Sequence, residues 1–248
     1  MSENPYAAPQ TTVEAVPSLP RHPGQGSPYG AFRQLDVWVG LIVIFFGLYI
    51  LLDLFSGYAS WKAIQFYESS SPDYDSREYF LIARTEQLLG LIFLAFFFVL
   101  VLVWCVWTNL SCKNAWLINS RDGASALYRG RESFTPGWVV GWHFIPVMWY
   151  WKPFQAMAWI RDASQKSLGL RMGRLLGLWW TFWLLSQFVA LVYLVLSLQA
   201  ETFRDWAMAE RLYLVSLPLD ICAAVFAVLV AICLSKIQKL RASELGLC

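Results

Sequence analysis

Residues 88–108 read LLGLIFLAFFFVLVLVWCVWT and contain no charged side chain. A helix needs about 20 apolar residues to cross the ~30 Å hydrocarbon core of a bilayer, and this stretch has that length. The bilayer core offers no water to unpaired backbone groups, so a single crossing segment has to be helical. The stretch therefore predicts a transmembrane helix, and it indicates that a bilayer is the solvent for much of this chain.

Three further runs have the same character. Residues 37–55 contain one charged side chain, Asp53; residues 175–198 contain none; and residues 212–234 contain Asp220. The whole chain is 58% hydrophobic and 15% charged, whereas soluble domains have about 45–50% apolar and about 25% charged residues. Together the four runs predict an all-α integral membrane protein with four transmembrane helices.

The distribution of basic residues predicts the orientation of these spans. Most of the 19 Lys and Arg residues lie before the first span, between the second and third, or after the fourth. Only five lie in the other two connections, and they are Lys62, Arg77, Arg84, Arg204 and Arg211. Basic residues collect on the cytoplasmic side of a membrane. We therefore expect a multi-pass protein of the cell's inner (plasma) membrane, with both termini and the long middle segment in the cytoplasm.

The chain divides by composition into three parts. Residues 1–33 contain six of the 11 prolines. A Pro-, Gly- and Ser-rich segment of this kind cannot bury enough apolar surface to offset its ordering entropy, so we expect a disordered cytoplasmic tail. Residues 34–240 are predicted to form the four-helix membrane domain, and residues 241–248 a short C-terminal tail.

The middle segment, residues 134–160, reads FTPGWVVGWHFIPVMWYWKPFQAMAWI and is nearly as apolar as the spans. A fifth crossing is disfavoured because Pro136, Pro146 and Pro153 interrupt the segment and Lys152 lies within it. A proline inside a helix removes a hydrogen bond and clashes with the preceding turn. We expect a Pro/Trp-rich re-entrant or interfacial element on the cytoplasmic side, with its tryptophans at the level of the lipid headgroups.

The order of residues in the middle segment resembles the core of a bacterial multi-pass membrane family known only as a domain of unknown function. The resemblance rests on the pattern PGWxxGWxxIP and then KPFQAM, formed by Pro136, Gly137, Trp138, Gly141, Trp142, Ile145, Pro146, Lys152, Pro153, Phe154, Gln155, Ala156 and Met157. Asn114 and the pair Ile237 and Gln238 fit the same layout, over roughly residues 37–240. The resemblance implies a multi-pass fold without an established activity.

The chain departs from that family at two positions. Trp149 stands where the family commonly has Asn, and Leu110 stands where it often has Arg. If that Asn or Arg has a function in the family, the resemblance implies that this member has lost it.

Charged residues inside spans are costly and often functional. Asp53 and Asp220 lie in the first and fourth spans, and Glu86 lies just before the second, all toward the external side. Together they predict a small acidic vestibule for a cation or a proton. The alternative is that all three stay hydrated at interfacial depth, with Arg84 and Arg211 close enough in sequence to neutralise them.

The middle segment also supplies candidate binding residues. Lys152 and Arg161 accompany an aromatic-rich stretch, which is the pattern of an amphipathic surface on anionic lipid. The functional interpretation is a pocket for a lipid headgroup with these two side chains as donors; the alternative is charge that only sets the topology. The full set of candidates is Pro136, Gly137, Trp138, Gly141, Trp142, Pro146, Lys152, Pro153, Gln155 and Arg161.

No pattern typical of an enzyme is present. His22 and His143 are the two histidines, too few for a zinc site, and no nucleophile or metal motif is found. We therefore expect no catalytic residue, no metal and no cofactor, and His143 is interpreted as a packing or interfacial residue. The net charge of +2 gives no indication of nucleic-acid binding.

Two functional hypotheses remain. The first is a non-enzymatic membrane protein that contacts lipids, among them anionic lipids, or a membrane protein partner through its cytoplasmic aromatic and basic motif. The second is a small transporter or channel that uses the in-span acids.

Small residues at four-residue spacing, such as Ala223, Ala227 and Ala231, permit close helix contact, so a homo-oligomer is a further hypothesis.

Overall fold

The computed structural model describes residues 29–69, 76–122, 134–165 and 170–247. Over these residues the chain is helical and has no strand. Of the tail that the sequence predicts to be disordered, residues 1–28 lie outside the described residues.

In the described part of the chain, four helices are long and apolar enough to cross a membrane, so the prediction of four such helices is confirmed. Two shorter helices are described between the second and third of them. In chain order the helices are α1 (Asp36–Tyr67), α2 (Arg77–Asp122), α3 (Pro136–Gly141), α4 (Lys152–Ser164), α5 (Leu170–Gln199) and α6 (Phe203–Glu244).

The long helices extend beyond the apolar runs that predict them. Helix α2 continues past residue 108 to Asp122, since no Gly or Pro interrupts it there. Helix α6 begins well before residue 212, because Thr202 and Asp205 form a capping box in which each side chain accepts the backbone N–H of the other. Hydropathy therefore predicts the membrane-crossing part of each helix, whereas the capping residues determine where α6 begins.

Helix α6 is the centre of the bundle. It packs along both α1 and α5, while α2 packs mainly against α1. The backbones of α2 and α5 are not closely packed against each other in the described part of the chain. A cleft lined by both helices therefore lies between them, with α6 behind it.

The main core lies where the beginning of α1 meets the later parts of α2 and α6. Ile42, Trp107, Val230 and Leu234 are fully buried there. The Trp107 indole N–H donates to the Ser235 hydroxyl oxygen at 3.0 Å, so this buried ring keeps the polar partner that an indole requires. The cleft rests against this core.

The middle segment folds back on itself in short elements. The Thr135 hydroxyl caps α3 by accepting a backbone N–H of the first turn, and Pro136 occupies that turn, where its missing N–H is not needed. Two 3-10 turns follow, at Trp142–Phe144 and Met148–Tyr150, and Val147 between them has a φ of 69°. Neither α3 nor α4 is long enough to cross a bilayer.

Candidate functional site

Helix α2 holds the beginning of the middle segment through three side chains. The Asn109 amide donates to the Pro136 carbonyl at 2.8 Å, and the Trp116 indole N–H donates to the Phe134 carbonyl at 2.8 Å. The Cys112 thiol donates weakly to the same Phe134 carbonyl at 3.5 Å. The two bonds to Phe134 satisfy a backbone carbonyl that lies before the start of α3, and the three bonds together fix the segment against α2.

A buried polar cluster joins α2, α4 and α6, and we name its four residues, Ser111, Asn114, Ser164 and Gln238, the polar clamp. The Gln238 amide donates to the Ser111 carbonyl and to the Ser164 hydroxyl oxygen, both at 2.9 Å. The Asn114 amide donates to the Arg33 carbonyl at 2.8 Å, and its oxygen accepts the Arg33 N–H at 2.9 Å. Asn114 and Gln238, which carry part of the resemblance, therefore have a structural role.

The two basic candidates of the motif are engaged within the protein. Lys152 Nζ lies over the rings of Phe134 and Trp142, 5.8 and 5.5 Å from their centroids, which is a cation–π arrangement. Arg161 forms an ion pair of 2.6 Å with Asp162, and the two side chains are 18% and 10% exposed. These contacts stabilise the segment itself, and a lipid headgroup would have to compete with them.

The other candidates of the motif divide between surface and interior. Trp138 is 54% exposed and stacks on Trp142, with ring centroids 4.8 Å apart. Gly141 lies beside this pair, where an added Cβ would be 3.5 Å from the Trp138 ring. Along the motif, Gly137, Trp138, Pro146 and Gln155 are exposed, Gly141 and Trp142 are half-buried, and Pro136 and Pro153 are buried.

Two cavities lie along the cleft in the part of the chain that the structure describes. Aromatic rings line the first, which we name the aromatic cavity. It has a volume of about 340 Å³ and is lined by the spanning helices and by the middle segment. The ring centroids of Trp104 and Trp179 are 5.2 Å apart, and those of Trp180 and Trp183 are 4.6 Å apart. Asp220 of α6 lies among the lining residues, so this mostly apolar space includes a carboxyl group.

Two further polar groups lie at the aromatic cavity. The hydroxyls of Ser186 and Ser216 are within hydrogen-bonding reach of Asp220, and His143 reaches the cavity from the middle segment. The His143 Nδ1 donates to the Val139 carbonyl at 3.0 Å. Burial lowers the pKa of His143 below its ordinary value, so the imidazole is neutral at pH 7 and adds no charge to the cavity.

The second cavity, which we name the acidic cavity, has a volume of about 390 Å³ and lies between α1, α2, α5 and α6. Glu86 and Glu210 both line it, together with Tyr193 and Tyr213. The Tyr193 hydroxyl donates to Glu210 Oε1 at 3.3 Å, and Glu210 is 4% exposed. Phe97 lines both cavities, so the two adjoin along the cleft.

Asp53 lies directly behind the wall of the acidic cavity and is 1% exposed. Its Oδ1 accepts the Tyr213 hydroxyl at 2.9 Å, and its Oδ2 is buried without a hydrogen-bond partner. Within the described ranges, no Lys or Arg forms an ion pair with Asp53, Glu86, Glu210 or Asp220. Nor do three His, Cys, Asp or Glu side chains come together there in a way that could hold a metal ion.

The structure distributes the three predicted acids along the cleft. Glu86 lies in the acidic cavity, Asp220 in the aromatic cavity, and Asp53 behind the wall. The sequence left open that Arg211 neutralises an in-span acid. In the structure Arg211 pairs with Glu68 instead. Glu210 was missed because it precedes residue 212. The apolar residues before it, Ala207, Met208 and Ala209, were the available signal that the helix begins earlier.

Comparison with known proteins identifies the family of the chain. No curated protein and no solved structure matches it. A family model described as a domain of unknown function, DUF4328, matches residues 78–239, which is well over half of the 248 residues. The match begins in α2 and ends in α6, so it includes the middle segment and Asp220, while Asp53 lies outside it. This multi-pass membrane chain therefore belongs to the DUF4328 family.

Proposed function

We propose that this protein is a non-enzymatic protein of the bacterial inner membrane that binds a small apolar or amphipathic molecule from the bilayer in the aromatic cavity. One observation carries the proposal: the middle segment supplies part of the wall of a cavity that spanning helices otherwise form, through His143, Phe144, Trp149 and Pro153. Ligand sites are typically concave, mostly apolar spaces of about 300–1,000 Å³. At about 340 Å³, the aromatic cavity falls in that range.

The rim of the aromatic cavity supports entry of the ligand from the lipid side. Phe98 of α2 and Phe144 of the middle segment line the cavity and are 60% and 62% exposed. Large exposed apolar patches mark contacts with lipid or with a partner, and here they lie at the opening of the cleft. In this proposal the middle segment is the re-entrant or interfacial element that closes the cavity on the cytoplasmic side, and lipid is contacted through its aromatic residues.

Native mass spectrometry of the protein extracted gently from its own membrane tests this function. We expect a retained small molecule or lipid on the wild-type protein. Ala223 lines the cavity and is 7% exposed, so Ala223→Phe fills the space and abolishes retention. The matched control is Val225→Phe, which adds a ring at a position that is 43% exposed and does not line the cavity, and it retains the molecule.

The wild-type protein without any retained molecule, or equal retention in the Ala223→Phe protein, would contradict the proposal. If Ala223→Phe does not fold, Cys105→Trp fills the same cavity from α2. A retained second polypeptide without a small molecule would support contact with a membrane protein partner instead.

A second function, transport of a proton or small cation, is supported by the acids along the cleft. Ionisable residues within spans commonly mark ion pathways, and the unpartnered, buried Oδ2 of Asp53 is a group that a cation or proton would satisfy. In proteoliposomes, Asp53→Asn or Asp220→Asn would then abolish flux. The exposed Asp36, which pairs with Lys239 at 2.8 Å, provides the control Asp36→Asn. Unchanged flux in both in-span variants would exclude transport through these acids.

The distribution of Lys and Arg supports a topology with both termini in the cytoplasm. Single cysteines at positions 69 and 123, in a background without native cysteines, test it by labelling with an impermeant maleimide on intact cells. We expect label at position 69 and none at position 123. Label at position 123 from outside would overturn this orientation.

A further inference from the structure

We propose that the ligand of the aromatic cavity is an organic cation, with its positive charge beside Asp220 and its apolar body among the tryptophan rings. This inference rests on the proposed binding function and adds the chemical class of the ligand to it. Two independent features of the cavity support it: a carboxyl group without a basic partner and walls made of aromatic faces.

The first feature is the unbalanced charge of Asp220. Ser186 and Ser216 lie beside it, but each hydroxyl has a single proton and donates it to a backbone carbonyl of its own helix, at 3.2 and 2.8 Å. Across the described ranges, no Lys or Arg forms an ion pair with Asp220. An isolated carboxylate in apolar surroundings is costly, so the balancing positive charge comes from a bound proton or a bound cation.

The second feature, the aromatic wall of the cavity, favours a bound cation over a bound proton. The face of an indole ring attracts a cation that lies within about 6 Å of its centroid, and the attraction increases when water is excluded. Trp104, Trp179, Trp180 and Trp183 line the same cavity as Asp220. A proton on Asp220 makes no use of these faces, whereas an organic cation contacts the carboxylate and the rings together. A single-atom ion would leave most of the 340 Å³ empty.

The expected ligand therefore has a quaternary or protonated amine and an apolar part. An anion of the same size would be repelled both by Asp220 and by the ring faces, which carry negative charge density. A neutral molecule would fill the space and leave Asp220 without a balancing charge. The neutral imidazole of His143 does not oppose a cation.

The experiment compares two probes of the same shape that differ in charge. Benzyltrimethylammonium is the cation, and neopentylbenzene is its neutral counterpart with carbon in place of nitrogen. Binding of each radiolabelled probe to the full chain in nanodiscs is measured by equilibrium dialysis, with empty nanodiscs of the same lipid subtracted. We expect the cation to bind at least tenfold more tightly than the neutral probe, and Asp220→Asn to weaken binding of the cation at least tenfold.

Two control variants separate the role of the charge from a role in folding. Asp36→Asn makes the same exchange at an exposed position and is expected to bind both probes like the wild type. Asp220→Glu retains the carboxylate and is expected to recover most of the affinity for the cation. If Asp220→Asn does not fold, the ratio of the affinities of the wild-type protein for the cationic and the neutral probe still tests whether the cavity selects a cation.

The outcomes distinguish this inference from the function on which it rests. Equal binding of the two probes, or unchanged binding of the cation to Asp220→Asn, overturns the inference and leaves an apolar binding site in place. Binding of neither probe above empty nanodiscs overturns the inference and contradicts the proposed function as well.

Discussion

The aromatic and acidic cavities adjoin in one cleft but differ in what surrounds their acids. In the aromatic cavity Asp220 faces the tryptophan wall, whereas in the acidic cavity Glu86 and Glu210 face each other across a space lined by two tyrosines. Two carboxylates in one site repel each other unless a proton or cation lies between them. An acid within a span therefore does not determine its ligand by itself; the neighbouring side chains do.

The two environments come from different parts of the same helix. Trp179, Trp180 and Trp183 lie early in α5, at the level of the middle segment, while Tyr193 lies later, at the level of Glu210. A helix rises 1.5 Å per residue, so the ten-residue step from Trp183 to Tyr193 separates the two environments by about 15 Å along α5. An organic cation and a proton or small cation can therefore be bound at separate depths.

The largest expected effect comes from reversing the charge in the aromatic cavity. Asp220→Lys replaces attraction with repulsion, and two charges about 4 Å apart interact by about 4 kcal/mol near a protein surface. We expect the affinity for benzyltrimethylammonium to fall more than a hundredfold in the dialysis assay. Glu86→Lys, the same reversal in the acidic cavity, should lower it less than threefold. Equal losses in the two variants would mean that the cavities act as one site.

Removing one ring from the aromatic cavity is expected to have the next largest effect. Trp183→Leu retains an apolar side chain and loses a cation–π contact of about 1–2 kcal/mol, so the affinity for the cation should fall about tenfold. The neutral probe should lose much less. Trp61→Leu serves as the control, because Trp61 is 45% exposed and lines neither cavity. A similar loss of affinity for both probes would show that Trp183 contributes only to the shape of the cavity and makes no cation–π contact.

A smaller effect is expected at the wall of the acidic cavity, where Tyr213 contacts Asp53. Tyr213→Phe removes the 2.9 Å hydrogen bond to Asp53, and leaving a buried polar group without its partner costs about 1–3 kcal/mol. Thermal unfolding in detergent should show this loss of stability, while binding of the cation stays unchanged. Tyr58→Phe, at a position that is 55% exposed, should leave both quantities as they are. A change in cation binding would indicate that Asp53 belongs to the aromatic cavity.

The smallest effect is expected inside the acidic cavity. Tyr193→Phe removes a longer hydrogen bond, 3.3 Å, to Glu210, and Ser60 remains beside that carboxylate. The loss of stability should be below about 1 kcal/mol and smaller than that of Tyr213→Phe. If Tyr193→Phe loses more stability than Tyr213→Phe, Glu210 rather than Asp53 is the acid on which packing around the acidic cavity depends.

The spans could be predicted from the sequence because their signal is one-dimensional. An uncharged run such as residues 88–108 identifies a helix of spanning length without knowledge of its neighbours. The prolines of the middle segment likewise predicted breaks, and Pro136 and Pro153 both lie in the first turns of short helices. Asp53 and Asp220 were recognised as candidates from their positions within apolar runs.

The cleft could not be predicted, because it depends on which helices pack together. Hydropathy does not indicate that α2 and α5 stay apart while α6 contacts α5 closely. For Lys152 the sequence left open a contact with a lipid headgroup or a charge that only sets the topology, and it gave no sign that tertiary packing brings the ammonium group over two rings. The role of Glu210 depended on where α6 begins, and helix boundaries are the part of a sequence interpretation with the least physical signal.

The polar clamp has a consequence for the order in which the protein is made. Gln238 comes from the last helix, and its partner Ser164 precedes it by 74 residues. At about 5–20 residues per second of synthesis, α4 emerges on the order of ten seconds before the amide that it requires. During that interval the Ser164 hydroxyl keeps its hydrogen bond to the Ile160 carbonyl at 2.7 Å, but the link through the Gln238 amide between α4, α2 and α6 is missing. The middle segment therefore gains its final support only when translation is nearly complete, so a nascent chain that stops before Gln238 lacks it.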